Sequence, residues 1–529
     1  MSNSVAQAEQ NSLVEYGLRR VIITITVIAC TLLEIIDTTI VNVATTTLAG
    51  NLGATFSEIS WVIASYAIAN VIVVPMSGWL SSQFGRKMYF AGSIALFTLS
   101  SFMCGQSESI WTLVFWRFVQ GMGGGALLAT SQSILVEIYP KEKLGMAMAM
   151  FGMGVILGPT LGPLLGGYLI DHFDWPIIFY VNVPIGIMAL ILTLRFIRDN
   201  PYQKKSSDAI DWFAIFLLVA GIGSLQLVLE KGQEEDWFQS RFIICFTIVA
   251  ISAIVWFVRR QLKAPNPIVD LRILTRGNVA IGVTLNFIMG FVLYGTVFII
   301  PIYVQRFLGF TATQSGALFT PGALLTGLCM PFIGRALQGG APPKFLIAAG
   351  FTLTAVFVFM CSLILTANTD SADFFYPLMV RGFGMGLLFV PLTNMTLGGL
   401  MGKDVAQASG LSSMIRQIGG SISVAIVGVV TERLTAQHRN DLVANVNIYN
   451  NNLTDRLNLF TQNFNRFTTD AAKSTSQAYM ALENGIFRQA SVLTYIDIFQ
   501  FIAVFTVCVI PLVFFAKTYK GKVDSSSAH

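Results

Sequence analysis

A chain of 529 residues that is 54% hydrophobic and only 12% charged, with a mean hydropathy of +0.67, is not a soluble protein, since soluble domains carry about 25% charged residues. Its net charge of +5 is too small and too scattered for a nucleic-acid surface, and its composition reads as an all-α integral membrane protein.

Apolar stretches of at least about 18 residues occur near 21–44, 58–80, 88–105, 110–136, 145–169, 176–197, 211–229, 241–258, 278–303, 315–336, 344–367, 375–399, 405–430 and 494–516. About fourteen membrane-spanning helices are therefore expected. With an inward amino terminus, the inside segments hold Arg19, Arg20, Arg86, Lys87, Lys141, Lys143, Arg195, Arg198, Lys204, Lys205, Arg259, Arg260, Lys263, Arg272, Arg276, Lys517, Lys520 and Lys522. The short outside segments hold only Lys231, Arg241 and Arg306. The excess of inside cations puts both termini in the cytoplasm and accounts for the net charge. Residues 1–15 lack the pattern of a cleavable signal peptide, so the first span is expected to act as the insertion signal.

The first span carries Glu34 and Asp37 in an otherwise apolar or hydroxyl-bearing run. Counted from Val21 at 1.5 Å per residue, they lie about 20 and 24 Å into a hydrocarbon core of about 30 Å. Each costs on the order of 2.5–3.5 kcal/mol there even on the lenient insertion scale. Three residues apart, they share a helix face. They are candidate proton carriers, and without water or a partner charge at least one spends much of its time protonated; the alternative is a structural pair that orients the helix. In the fourth span Arg117 is followed by Gln120, Gly121 and Gly123, and Arg381 by Gly382, Gly384 and Gly386 about 264 residues later. This echo fits a repeat of six helices with two extra ones inserted between the halves. The units are then 1–198, 199–276 (inserted helices seven and eight) and 277–529. Arg117 either satisfies backbone carbonyls or modulates the two acids; Arg381 and Arg416 are read as stabilising the second bundle or as further functional cations.

In the fifth span Gly154, Gly158, Gly162 and Gly166 recur every four residues, with Pro159, Pro163 and Gly167 among them. Such a face allows close helix approach and the prolines weaken the helix, so the segment is expected either to pack closely on a neighbour or to form part of a sliding contact between bundles. Cys30, Cys104, Cys245, Cys329, Cys361 and Cys508 show no paired or metal spacing and read as packing residues. His172, His438 and His529 fall in loops or the tail, and no metal site is expected. From about 431 to 493 runs a polar outside loop in which Leu453, Leu457, Phe460, Phe464, Phe467 and Ala471 form an amphipathic stripe, with Asn452 as a plausible cap. It either packs on its neighbours or the membrane surface, or docks a periplasmic partner.

Several motifs together resemble one family. The glycine–proline run of the fifth span is similar to the antiporter signature of drug exporters in the major facilitator superfamily. Gly78, Leu80, Gly85, Arg86 and Lys87 resemble that superfamily's loop between helices two and three, except that Ser82 stands where an acidic residue is usual, which removes a charge pair from the cytoplasmic gate. Arg117–Gly123 resembles its fourth-helix motif, and Asp37, Thr38, Thr39, Asn42 and Ala44 its first-helix proton-antiporter signature. Phe179, Asn182, Pro184 and Gly186, then Asp236–Phe238 and Asn266–Leu271, resemble the fourteen-helix branch of EmrB-like multidrug exporters.

The resemblance implies two six-helix bundles and efflux of hydrophobic or amphipathic drugs, cationic ones included, in exchange for protons. It implies no cofactor, and as partners small-molecule drugs, protons, membrane lipid, an EmrA-like adaptor and an outer-membrane channel. Asp37, Glu34 and Arg117 would couple protons; Asn42, Trp61, Tyr66, Gln120, Tyr294 and Phe389 are candidates for the drug cavity. Asp37→Asn and Glu34→Gln are both expected to abolish efflux while sparing the fold. An uptake symporter, or an exporter of a specific metabolite or siderophore, would share this architecture. An enzyme would not, since no nucleophile-and-base or metal motif is present.

Overall fold

The computed structural model describes residues 14–140, 143–199, 210–366, 369–400, 403–444, 446, 451–466 and 470–515. All regular structure among them is helical. The first six spans are α1 (Gly17–Leu52), α2 (Phe56–Phe84), α3 (Arg86–Gly105), α4 (Ile110–Ile138), α5 (Leu144–His172) and the pair α6 (Ile177–Tyr180) and α7 (Asn182–Phe196), which together make one span. Short connections are set by local chemistry. Gly53 closes α1 at φ +60°, and a Thr55–Glu58 capping box starts α2 three residues later. Gly85, at φ +85°, turns the chain from α2 directly into α3, which a side chain would resist.

Helices α8 (Trp212–Lys231) and α9 (Arg241–Lys263) form the inserted pair. The second bundle comprises α10 (Gly277–Phe307), α11 (Ala312–Leu318) continuing into α12 (Thr320–Gln338), α13 (Pro343–Ile364), α14 (Phe375–Leu397), α15 (Lys403–Ala444) and α17 (Ala471–Phe514), with α16 (Asn451–Asn465) between the last two. Twelve helices among the described residues are long and apolar enough to cross a membrane, and α5, bent by 43° between Pro159 and Leu161, makes thirteen. At 29 residues α4 also has spanning length, but it carries Arg117, Gln120, Gln132 and Glu137. The expected fourteen therefore fits. The bend in α5 follows from two prolines that each remove an N–H from the helical ladder.

The bundles meet along two seams. On one, α5 packs against α11, α12 and α14; on the other, α2 and α4 pack against α15. At the end rich in Arg and Lys the approach is backbone to backbone: a Cβ on Gly145 would lie 2.9 Å from the Gly334 carbonyl oxygen, and one on Gly78 3.0 Å from the Ala406 backbone. At the opposite end Gly167 packs on Thr313 and Gly316 on Pro163. Helix α8 lies over the second seam, touching both α2 and α15.

The stretch expected as a loop from 431 to 493 is mostly helix. Helices α15 and α17 hold 42 and 44 residues, about 63 and 66 Å, twice the hydrocarbon thickness. They run out as an antiparallel pair tied by Thr435–Thr494 (3.1 Å) and Arg439–Glu483 (2.6 Å). His438, expected in a loop, sits on α15 and bonds Asp497 at 2.7 Å. The polar surface of a helix in water has the composition of a loop, which is why the sequence disguised it. Helix α16 ends at Asn465, so Ala471 does not continue its stripe but begins α17. Leu453, Leu457, Phe460 and Phe464 are half-buried, and α16 packs on α17; Phe467 lies outside the described residues. The stripe thus covers its own neighbour, and the most exposed apolar groups there are Leu459, Tyr479 and Met480.

Candidate functional site

Close approach of α2 and α4 builds the site. A Cβ at Gly121 would fall 2.5 Å from the Tyr66 carbonyl oxygen, and one at Gly125 2.6 Å from that of Asn70. Only glycines let the two backbones come so near, and this brings Tyr66 and Asn70 beside Arg117 and the acids of α1.

Asp37 is fully buried and receives three hydrogen bonds, from Arg117 Nη1 (2.5 Å), Gln120 Nε2 (2.8 Å) and Asn182 Nδ2 (2.8 Å). Arg117 is 1% exposed. It also donates to Gln120 Oε1 (2.8 Å) and to the Val62 carbonyl (3.3 Å), with its guanidinium 4.2 Å from the Tyr66 ring centre. Gln120 extends the network to Ser101 Oγ at 2.7 Å. The acid and the arginine are a buried ion pair in which each partner makes further hydrogen bonds, the condition under which such a pair is tolerated. All of this lies within the first bundle.

Glu34, also buried, is wired differently. Its Oε1 accepts from Asn70 Nδ2 at 3.0 Å, and Asn70 Oδ1 in turn accepts from Gln417 Nε2 at 3.0 Å. Gln417 belongs to α15, so this chain crosses from one bundle to the other. Arg416, buried beside it, faces Phe389 at 5.5 Å and is near enough to Glu34 to interact electrostatically. Phe389 reaches Phe151 of α5 at 6.2 Å, and Tyr294 packs on Gly420.

Other expected residues are placed elsewhere. Gln120 is a fully buried member of the Asp37 network. Trp61 turns to the inserted helix, its ring 4.7 Å from Lys231 Nζ. Asn42 is exposed, roughly 140° around α1 from Asp37. Arg381 is buried over Phe319 at 5.3 Å and has no acidic partner among the described residues, so the echo with Arg117 does not extend to its charge. Gly154, Gly158, Gly162 and Gly166 face Ile28, Ile35, Thr39 and Ile40 of α1. That face is a contact inside the first bundle; the side of α5 that meets the other bundle carries Pro163 and Gly167. Pro159 lies at the bend. Arg86 pairs with Glu137 of α4 and donates to the Arg198 carbonyl (3.1 Å), while Ser82 bonds back to Trp79; the loop is thus fastened within its own bundle.

The glycines are not equivalent. A methyl on Gly382 would lie 2.0 Å from the Gly322 carbonyl oxygen, whereas the nearest atom to one on Gly154 is at 3.4 Å. Gly382→Ala is expected to destabilise by about 1–3 kcal/mol through overpacking, and Gly154→Ala to stay within about 0.5 kcal/mol of wild type. Thermal melts of the purified variants in detergent check the order.

Asn70, Asn182 and Gln417 do not stand out as site residues in the sequence. Each is a lone amide in an apolar span, and that signal was available, though it does not reveal which way the amide points.

The Major Facilitator Superfamily model matches residues 27–424. The chain is 36% identical over 436 residues to the multidrug export protein EmrB of Escherichia coli (strain K12), covering 82% of this chain and 85% of that one. It is 32% identical over 503 residues to the probable multidrug resistance protein EmrY of the same strain, covering 94% and 96%, and 32% identical over 486 residues to the fatty acid resistance protein FarB of Neisseria gonorrhoeae, covering 92% and 94%. Among solved structures, the human organic anion transporter MFSD10 (TETRAN) matches with a TM-score of 0.59 at 12% identity, covering 93% of this chain and all of that one; this likeness is one of fold. Sequence kinship over most of the chain and the paired bundles agree, and the chain belongs to the Major Facilitator Superfamily, among its EmrB-like members, as a multi-pass membrane transporter and not an enzyme.

Proposed function

We propose that this transporter exports hydrophobic or amphipathic compounds, cationic ones included, across a bacterial inner membrane in exchange for protons, with both termini in the cytoplasm. The observation that carries this reading is the unequal wiring of the two buried acids: Asp37 is held inside one bundle, and Glu34 is linked through Asn70 to the other. A proton on Glu34 changes what Asn70 can donate to, and so bears on the bond between bundles. Substrate and proton then favour opposite states, which exchange requires. The names of EmrB, EmrY and FarB, which speak of drugs and fatty acids, agree with an amphipathic cargo. Tyr294, Phe389 and Arg416 are the cavity contacts this reading favours. No cofactor is needed, because the membrane supplies roughly 2.3 kcal/mol per charge per 100 mV.

The projecting α15–α16–α17 hairpin would meet an EmrA-like adaptor and, through it, an outer-membrane channel, by its exposed Leu459, Tyr479 and Met480 rather than by the covered stripe.

Adding a lipophilic cation such as tetraphenylphosphonium to the purified protein in weak buffer is expected to release protons, read by a pH dye. Drug binding with no proton release would refute the exchange mechanism, and drug accumulation with the proton gradient in proteoliposomes would make the protein an uptake symporter.

A further inference from the structure

Helix α9 adds little to either bundle, and its outer face is open: only 22% of its apolar window is buried. A groove of about 1040 Å³ runs along that face. Ile248, Ser252, Val255, Trp256, Arg259 and Lys263 line it, at helical steps that keep them on one side. From Ile248 to Lys263 it extends about 22 Å, close to the depth of one leaflet with its headgroups.

The groove changes character along its length. Its first turns are apolar; its last carries Arg259, Arg260 and Lys263 against the single carboxylate of Asp211. Arg260 is already engaged. Its Nε and Nη2 donate to Asp211 at 2.8 and 3.0 Å, its guanidinium lies 5.3 Å from the Phe213 ring, and that ring meets Trp256 edge-on at 5.3 Å. The Arg260 hydrogen bond holds the Asp211 carboxyl below its ordinary range, so Asp211 stays ionised and committed to Arg260. Arg259 and Lys263 have no acidic partner among the described residues, and both are exposed.

We propose that this groove is a binding site for an anionic phospholipid, with an acyl chain against Ile248, Ile251 and Val255 and the phosphate between Arg259 and Lys263. The charge arrangement selects the ligand: a zwitterionic headgroup brings its own cation to two cations that have no acidic partner among the described residues, whereas an anionic one does not. The bilayer supplies such lipids at the depth where the groove lies.

Native mass spectrometry of the full-length protein with phosphatidylglycerol or phosphatidylcholine tests the assignment. Wild type is expected to retain phosphatidylglycerol selectively, and Arg259→Ala/Lys263→Ala to bind it about thirtyfold more weakly. The charge-keeping Arg259→Lys/Lys263→Arg variant should bind as wild type does, which separates charge from folding. Equal retention of both lipids, undiminished phosphatidylglycerol binding by the double alanine variant, or displacement of the lipid by inorganic phosphate would each overturn the proposal.

Discussion

Asp37→Asn is expected to abolish drug-driven proton release and drug resistance, and also to weaken the fold. The sequence alone leads one to expect loss of efflux with the fold spared. The three bonds to Asp37 alter that expectation, because all three partners are donors. An asparagine must turn its own NH2 toward one of them, and Arg117 loses its counter-charge where it is 1% exposed. Removing one partner of a buried pair costs about 3–5 kcal/mol. Asp37→Asn/Arg117→Gln removes both charges and should recover much of the thermal stability while leaving transport dead. Size-exclusion profiles and melting midpoints give the first half of the result; proton release gives the second. If the double variant transports, the pair serves structure alone; if Asp37→Asn keeps wild-type proton release, the coupling role is lost.

Glu34→Gln is expected to abolish transport as well but to spare the fold: little change in stability, with resistance falling to the level of cells lacking the transporter. A glutamine oxygen can accept from Asn70 Nδ2 as the carboxylate does, so the chain to Gln417 survives in one fixed orientation. What disappears is the ability to lose a proton. Gln417→Ala makes the complementary test, since it keeps the acid and removes the bond between bundles. One such bond is worth about 1 kcal/mol net, enough to shift a two-state equilibrium about fivefold. Proton release should therefore persist in Gln417→Ala with an altered drug affinity. Wild-type resistance in Glu34→Gln would exclude Glu34 from coupling.

Much of this was legible in the chain. Spans follow from hydropathy, and an acid or arginine inside a span stands out by its cost. The pairing of Arg117 with Asp37 could be guessed because both are charges without another use. The roles of Asn70, Asn182 and Gln417 could not, because a lone amide in an apolar helix is inexpensive enough to occur for many reasons and its direction depends on neighbours far along the sequence. The glycines of α5 illustrate the same gap. Their spacing of four fixes that something packs closely on them, but whether that partner is α1 or the other bundle is decided by how the helix is turned. For the outer hairpin, polarity pointed to solvent and concealed a helix.

Gln417 and the outer tip of the protein belong to a single uninterrupted helix, α15, which ends at Ala444. From Gln417 to that end is about 40 Å of rod. A tilt of about ten degrees about the level of Gln417 sweeps the tip through roughly 7 Å. A change of ångström scale at one half-buried amide thus becomes, by leverage alone, a displacement of side-chain dimensions beyond the membrane.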